Sequence, residues 1–157
     1  MPSYTGNTGA TITLNTASDI WVLDANAATE LGKVISIGWG GNLTTSTGYR
    51  TRWARPTTVA QSTFTSLTPE TTSPNAGFAT ATLQFGTFLT NATLATEPKN
   101  LHAQNWNGHG GLGYVVLPLA NPWWVSGAGT AVQQVACRNT AGTDANSSGY
   151  SVTWEEV

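Results

Sequence analysis

The chain has 157 residues, the length of one domain, and is 39% hydrophobic, with an aromatic share of 10% that includes seven Trp. Only 9% of residues are charged, against about 25% in an ordinary soluble domain, and the formal net charge is −2. That balance excludes the basic footprint of a nucleic-acid binder, and so many aromatics with so little net charge argue against a disordered chain.

Thr, Val, Ile and Trp suit a pleated surface, while Gly, Asn and Pro interrupt the chain almost every ten residues and would break helices. Period-2 alternation predicts strands over Ala10–Leu14, Asp19–Asp24 and Lys33–Trp39, the last closed by Gly40-Gly41-Asn42. Asn26–Leu31 is the only helix-like stretch. Gly48–Ala54 is the clearest strand, with Tyr49, Thr51 and Trp53 on one face and Arg50 and Arg52 on the other, ended by Pro56. Residues 56–76 read as a long Thr/Pro-rich connection anchored by Phe64 and Leu67. Strand character resumes over Phe78–Phe88 around a break at Gly86, and again over Leu101–Trp106. After the Asn107-Gly108-His109-Gly110-Gly111 loop, Tyr114–Leu117 is a continuous apolar run of the kind buried on both faces. Pro118, Asn121 and Pro122 mark a connection carrying Trp123 and Trp124. Ala131–Arg138 and Tyr150–Trp154 are the last strands. Eight to ten short strands with no fixed repeat predict an all-β fold, an antiparallel β-sandwich of jelly-roll-like character, in one domain over residues 1–157.

Little in this pattern promises chemistry. A hydrolytic triad would need His102 or His109 as its base with Asp19, Asp24 or Asp144 behind it, and no local signature supports those sets. Glu155 and Glu156 point to opposite faces of a strand, so they make no carboxylate dyad and read as solvated terminal charges. The two histidines lie seven apart across a loop, no acidic cluster resembles a calcium loop, and the Gly-rich stretches lack a following helix to hold phosphate. No catalytic residue, cofactor or metal is therefore expected. Cys137, the single cysteine, excludes an intrachain disulfide. No stretch approaches the ~18 apolar residues of a membrane helix, and Met1-Pro-Ser-Tyr-Thr-Gly has no Sec-type pattern, so synthesis in a reducing cytoplasm is expected. The N-x-S/T triplets at Asn42, Asn91 and Asn146 follow from composition.

Two features suit contacts with other proteins. Arg50, Arg52 and Arg55 concentrate half the chain's basic residues in six positions, a stripe able to pair with carboxylates on a neighbouring subunit. Trp106, Trp123 and Trp124 stand beside Gly, Asn or Pro, where exposed rings mark interfaces or sugar-stacking platforms. The same rings support an alternative reading, a carbohydrate- or receptor-binding module using Trp106 and Trp123.

The opening Pro2-Ser3-Tyr4-Thr5, the Ser18-Asp19-Ile20 strand start and Val34-x-x-Ile37 form a rhythm along the chain. It continues through the Arg50-x-Arg52 strand before Pro56-Thr57-Thr58 and the terminal Tyr150-Ser151-Val152-x-Trp154-Glu155-Glu156. This pattern resembles the small β-sandwich virion proteins of tailed bacteriophages. The resemblance spans most of the chain and carries no catalytic residues. It implies a capsid decoration (cement) or other structural role in the virion, as a homo-oligomer, commonly a trimer, with the major capsid protein or other virion subunits as partners and neither nucleic acid nor membrane among them.

Overall fold

The computed structural model describes residues 1–9, 12–14, 19–25, 27–41, 43–44, 46–55, 65–72, 80–87, 99–127, 134–141 and 144–157. These residues form thirteen strands and no helix: β1 (Ser3–Asn7), β2 (Ile12–Leu14), β3 (Asp19–Asp24), β4 (Leu31–Gly41), β5 (Gly48–Arg55), β6 (Thr65–Leu67), β7 (Glu70–Thr71), β8 (Gln84–Thr87), β9 (Lys99–Asn107), β10 (Leu112–Val116), β11 (Trp123–Ser126), β12 (Val135–Ala141) and β13 (Asp144–Glu156). One sheet runs β10-β4-β13-β1-β7, with β11 also on β4 and β2 on β13; the other runs β6-β8-β3-β12-β5-β9. Every pairing is antiparallel. The two sheets pack as a β-sandwich, and the chain passes repeatedly from one to the other.

Alternation sets which residues meet between the sheets. In β13, Tyr150, Val152, Trp154 and Glu156 are buried, and the register places Tyr150, Val152 and Trp154 opposite Trp39, Ile37 and Val34 of β4. Rings then bridge the layers: Trp39 lies 5.0 Å from Trp53, and Trp154 of one sheet lies 6.3 Å from Phe85 of the other. Each buried ring removes about 150–250 Å² from water, roughly 4–6 kcal/mol gross at ~25 cal/mol per Å², and aliphatic side chains such as Leu23, Ile37 and Val152 fill the core around them. The bulk of the rings demands gaps in adjacent and facing strands. A Cβ at Gly113 would stand 2.0 Å from the Trp39 ring, and one at Gly6 2.6 Å from Phe85.

The expected strands on residues 19–24, 33–39, 48–54, 101–106 and 150–154 lie within strands β3, β4, β5, β9 and β13. Residues 27–30 make a turn closed by the Glu30 N–H on the Ala27 carbonyl, and Leu31 already belongs to β4, so the helix-like stretch forms no helix. Much of the 56–76 connection, with Phe64, lies outside the described residues; Leu67 packs on the core from β6.

Two expectations are overturned. Glu155 and Glu156 are not a solvated terminal pair. Glu155 points outward to Lys33, 2.8 Å away, whereas Glu156 is only 7% exposed. The Glu156 carboxylate accepts the Thr82 N–H (3.0 and 2.9 Å), the Thr82 hydroxyl (2.9 Å), the Leu83 N–H (2.9 Å) and the Trp154 indole N–H (3.1 Å). Parity turns it inward beside Trp154, and these donors replace the water it loses. The second correction concerns Tyr114–Leu117. Only Leu117 is buried there: Tyr114 is 65% and Val116 64% exposed, because β10 lies at a sheet edge and shows one face to solvent.

Removing the Glu156 carboxylate strands several buried donors, so Glu156→Ala is expected to lower unfolding free energy by about 3 kcal/mol, whereas Glu155→Ala costs less than about 1 kcal/mol. Urea titrations of the two variants check this; equal losses would contradict the inward anchoring.

Burial raises the Cys137 thiol well above its ordinary 9.0, with the Asp19 charge adding to the shift, and burial likewise raises the Tyr150 phenol above 10.0. Because the folded state holds these protons more tightly, their contribution to stability is complete below the unfolded values and is lost as pH rises past them. Thermal midpoints are expected to fall on passing about pH 9–10, less steeply in Tyr150→Phe. A wild-type profile that stays level to pH 11 would show that the two groups are not held in this way.

Candidate interaction surface

The three arginines do not form one stripe. Arg50 and Arg52 share the outward face of β5, Arg50 exposed and Arg52 half-buried, with Asn105 and Ala103 of β9 opposite them. Arg55 has the other parity and donates from its guanidinium to the Trp124 carbonyl on β11 at 2.6 Å, a tie between the sheets. Desolvation lowers its pKa from the ordinary arginine value. Arg50 lines a shallow groove of about 500 Å³ with Gly48, Tyr49, Asn105 and Trp106, next to the aromatic end of the core.

The three tryptophans also separate. Trp106 belongs to β9, not to the loop. Its ring sits 4.9 Å from Tyr49 and 6.3 Å from Tyr150, and its N–H donates to the Thr51 hydroxyl at 2.9 Å. That hydroxyl also lies 3.0 Å from the Tyr150 hydroxyl. Residues 123–126 are extended, so neighbouring rings take opposite sides: Trp123 packs on the core, and Trp124 is 39% exposed beside Lys33. Trp124 is the most exposed of the three.

The apolar surface lies next to it, on β10. Leu112 is 87% exposed, and it joins Tyr114 and Val116 on the outer face of the sheet, with Leu119 exposed in the turn that follows. Their neighbours on β4 are small: Leu112 stands opposite Gly40, Tyr114 opposite Gly38 and Val116 opposite Ser36. Gly149 and Ser151 of β13 continue those rows. The result is a ridge of three apolar side chains beside small residues; Leu112 and Tyr114 of this ridge bound an open groove of about 670 Å³ that Gly38, Gly40, Ser151 and Asn7 also line.

Backbone geometry makes this edge available. The Gly41 N–H binds the Gly111 carbonyl and the Leu117 N–H binds the Ile35 carbonyl, so odd-numbered residues of this strand exchange bonds with β4. In an antiparallel ladder the alternate residues turn their N–H and C=O the other way. Leu112, Tyr114 and Val116 therefore direct their backbone N–H and C=O to the rim while their apolar side chains stand on the outer face, and among the described strands none pairs with that side. From Asn100 to Cys137 the chain contains no Asp, Glu, Lys or Arg. That uncharged window is the sequence signal that marks the surface; the apolar run by itself suggested burial.

The candidate bases stand apart along β9 and its turn. His102 packs its ring 5.5 Å from Trp53, while His109 is exposed on the 108–110 turn with Nδ1 2.7 Å from the Leu43 carbonyl. Asp19 lies against Arg138, with Oδ1 2.8 Å from Nε. Among the described residues no group of three or more His, Cys, Asp or Glu is placed to hold a metal ion, and no helix is long and apolar enough to cross a membrane. No protein-family model matches the chain, and no curated protein matches its sequence.

Trp106→Ala is expected to cost about 3 kcal/mol, since it opens the Tyr49–Thr51–Tyr150 cluster, and Trp124→Ala less than about 1 kcal/mol. Chemical denaturation distinguishes them; a destabilised Trp124→Ala beside an unaffected Trp106→Ala would invert the assignment of buried and open rings.

Proposed function

We propose that the protein is a structural subunit of a tailed-phage virion, a capsid decoration protein that seats on the outer capsid surface as a homo-oligomer. The observation that carries this reading is the uncharged apolar ridge of Leu112, Tyr114 and Val116 on an open sheet edge, with Trp124 beside it. Exposed apolar patches rimmed by polar residues mark protein contacts more than they mark solvated surface. The resemblance of the Pro2–Thr5 opening and the Tyr150–Glu156 ending to small virion β-sandwiches supplies the setting. Tyr150, Val152, Trp154 and Glu156 all face the core, so the terminal motif supports a shared fold rather than a shared chemistry. A sugar-stacking role for Trp106 and Trp123 has less support, because both rings are partly buried against the core, although Trp106 still lines the shallow groove beside Arg50.

A cement subunit working through such a ridge attaches by apolar burial more than by ion pairs. Added purified protein is expected to bind stripped capsids and to stay bound in about 1 M salt, where the Debye length falls to about 3 Å. Mass spectrometry of purified particles is expected to find the chain in a fixed ratio to the major capsid protein. Its absence from particles would end this reading.

A further inference from the structure

We infer that β10 pairs edge to edge with β10 of a second copy of this chain, antiparallel, about a twofold axis at Tyr114. This deepens the reading above, from which it takes only that β10 is a working surface.

Three observations select this occupant. The first is the edge itself. Natural sheets blunt free edges with Lys, Pro, bulges or inward charges. Leu112-Gly113-Tyr114-Val115-Val116 has none of these: its register against β4 is unbroken, and the first proline comes after the strand, at Pro118. The rim-facing N–H and C=O of residues 112, 114 and 116 are arranged to receive another strand.

The second is the register that such a strand would take. Centring the axis on Tyr114 sets Tyr114 opposite its own copy, Leu112 opposite the copy's Val116, and Val116 opposite the copy's Leu112. Each facing pair uses rim-directed groups on both strands and exchanges two backbone hydrogen bonds. Aromatic meets aromatic and aliphatic meets aliphatic on the outer face, the cross-strand pairs that stabilise sheets. Gly113 of each copy faces Val115 of the other, so small meets large on the inner side. A foreign strand would have to match this pattern; a second copy does so by symmetry.

The third is electrostatic. A twofold axis brings like charges together wherever a charged residue stands near it. The uncharged window from Asn100 to Cys137 includes β10, both turns beside it and most of β9. The opposite edge of the same sheet, β7, has two residues and carries the exposed Glu70, so it offers neither length nor neutrality.

A contact built on five residues per copy belongs at the small end of specific interfaces, so the dimer is expected to be reversible. Sedimentation velocity on the full chain, in a series reaching about 100 μM, well above a micromolar Kd, is expected to move from the 16.4 kDa monomer to twice that mass. Tyr114→Lys puts two ammonium groups side by side on the outer face of the joined sheet, and is expected to weaken association at least about tenfold with unchanged circular dichroism and Tm. A wild-type monomer throughout, a trimer, or a Tyr114→Lys chain that dimerises like wild type would each overturn the inference. A short bis-maleimide linker gives a second readout, since native Cys137 is buried. Tyr114→Cys is expected to yield a cross-linked dimer and Glu70→Cys not; the reverse would place the contact on β7 and refute the pairing at β10. Absence from virions would remove the decoration role without touching this dimer, and a monomer on sedimentation would remove the dimer without touching the role.

Discussion

The Glu156 carboxylate is the directional bond on which the sandwich depends most. Aromatic packing holds the sheets together but is tolerant of sliding, because dispersion and hydrophobic burial have little angular preference. Glu156, near the end of β13, takes two backbone N–H groups and a hydroxyl from residues 82–83, which lead into β8 of the other sheet. It also holds the indole of Trp154, whose ring packs on Phe85. One side chain thus fixes the position of a ring and of the strand that supplies its partner. Arg55 on the Trp124 carbonyl and the Thr51 hydroxyl between Trp106 and Tyr150 are further directional ties.

This use of charge explains the surface. The chain has six basic and eight acidic residues, and several are committed to the interior or to the junction of the sheets: Asp19 with Arg138, Glu156 in its nest of donors, and Arg55 under β11. Buried charges need such partners, since an unpaired one costs several kcal/mol. What remains for the exterior is sparse, and one long window has no charge at all. Small polar residues occupy the outward positions of this sheet, as in the row Ser36–Thr153–Thr5 across β4, β13 and β1, which Val116 of β10 continues. Where the same face reaches β10, the small polar residues give way to Leu, Tyr and Val.

The core was legible in the sequence because its strands alternate. Tyr49, Thr51 and Trp53 against Arg50 and Arg52 is a period-2 pattern that states its own faces, and β3, β4 and β13 follow the same logic. The parity that separates Glu155 from Glu156 also places Glu156 on the side of Trp154, yet position near the chain end suggested solvent instead. Arg55 is similar: its odd number groups it with Trp53 and not with Arg50. Other features lie beyond local pattern. Tyr114–Leu117 reads as a doubly buried strand because nothing in four residues says whether a further layer covers the outer face of its sheet. Trp106 and Trp123 stand beside turn residues, and only the tertiary pairing of β9 with β5 and β11 with β4 turns them inward.

An unblunted edge is a hazard unless its pairing stops. Here the limits are built into the elements around β10. The strand has five residues, bounded on one side by the turn at Gly110, whose φ is +69°, and on the other by Pro118. A second strand added there is held to the same five-residue length. Growth through the sheet is also closed, because the opposite edge ends in the two-residue β7 with Glu70 exposed, a poor acceptor for a neutral apolar strand. On the second sheet, β6 has three residues, and β9 exposes Gln104 and Asn105 in place of large apolar groups. A head-to-tail contact between unlike edges would propagate without end, whereas a contact of β10 with itself satisfies both copies and leaves no further β10 rim to extend. β11 and most of β9 share the uncharged window, but the exposed residues of β9 include Gln104 and Asn105, and the Trp124 carbonyl of β11 is already taken by Arg55, so among these neutral edge strands β10 combines a free ladder with exposed apolar side chains.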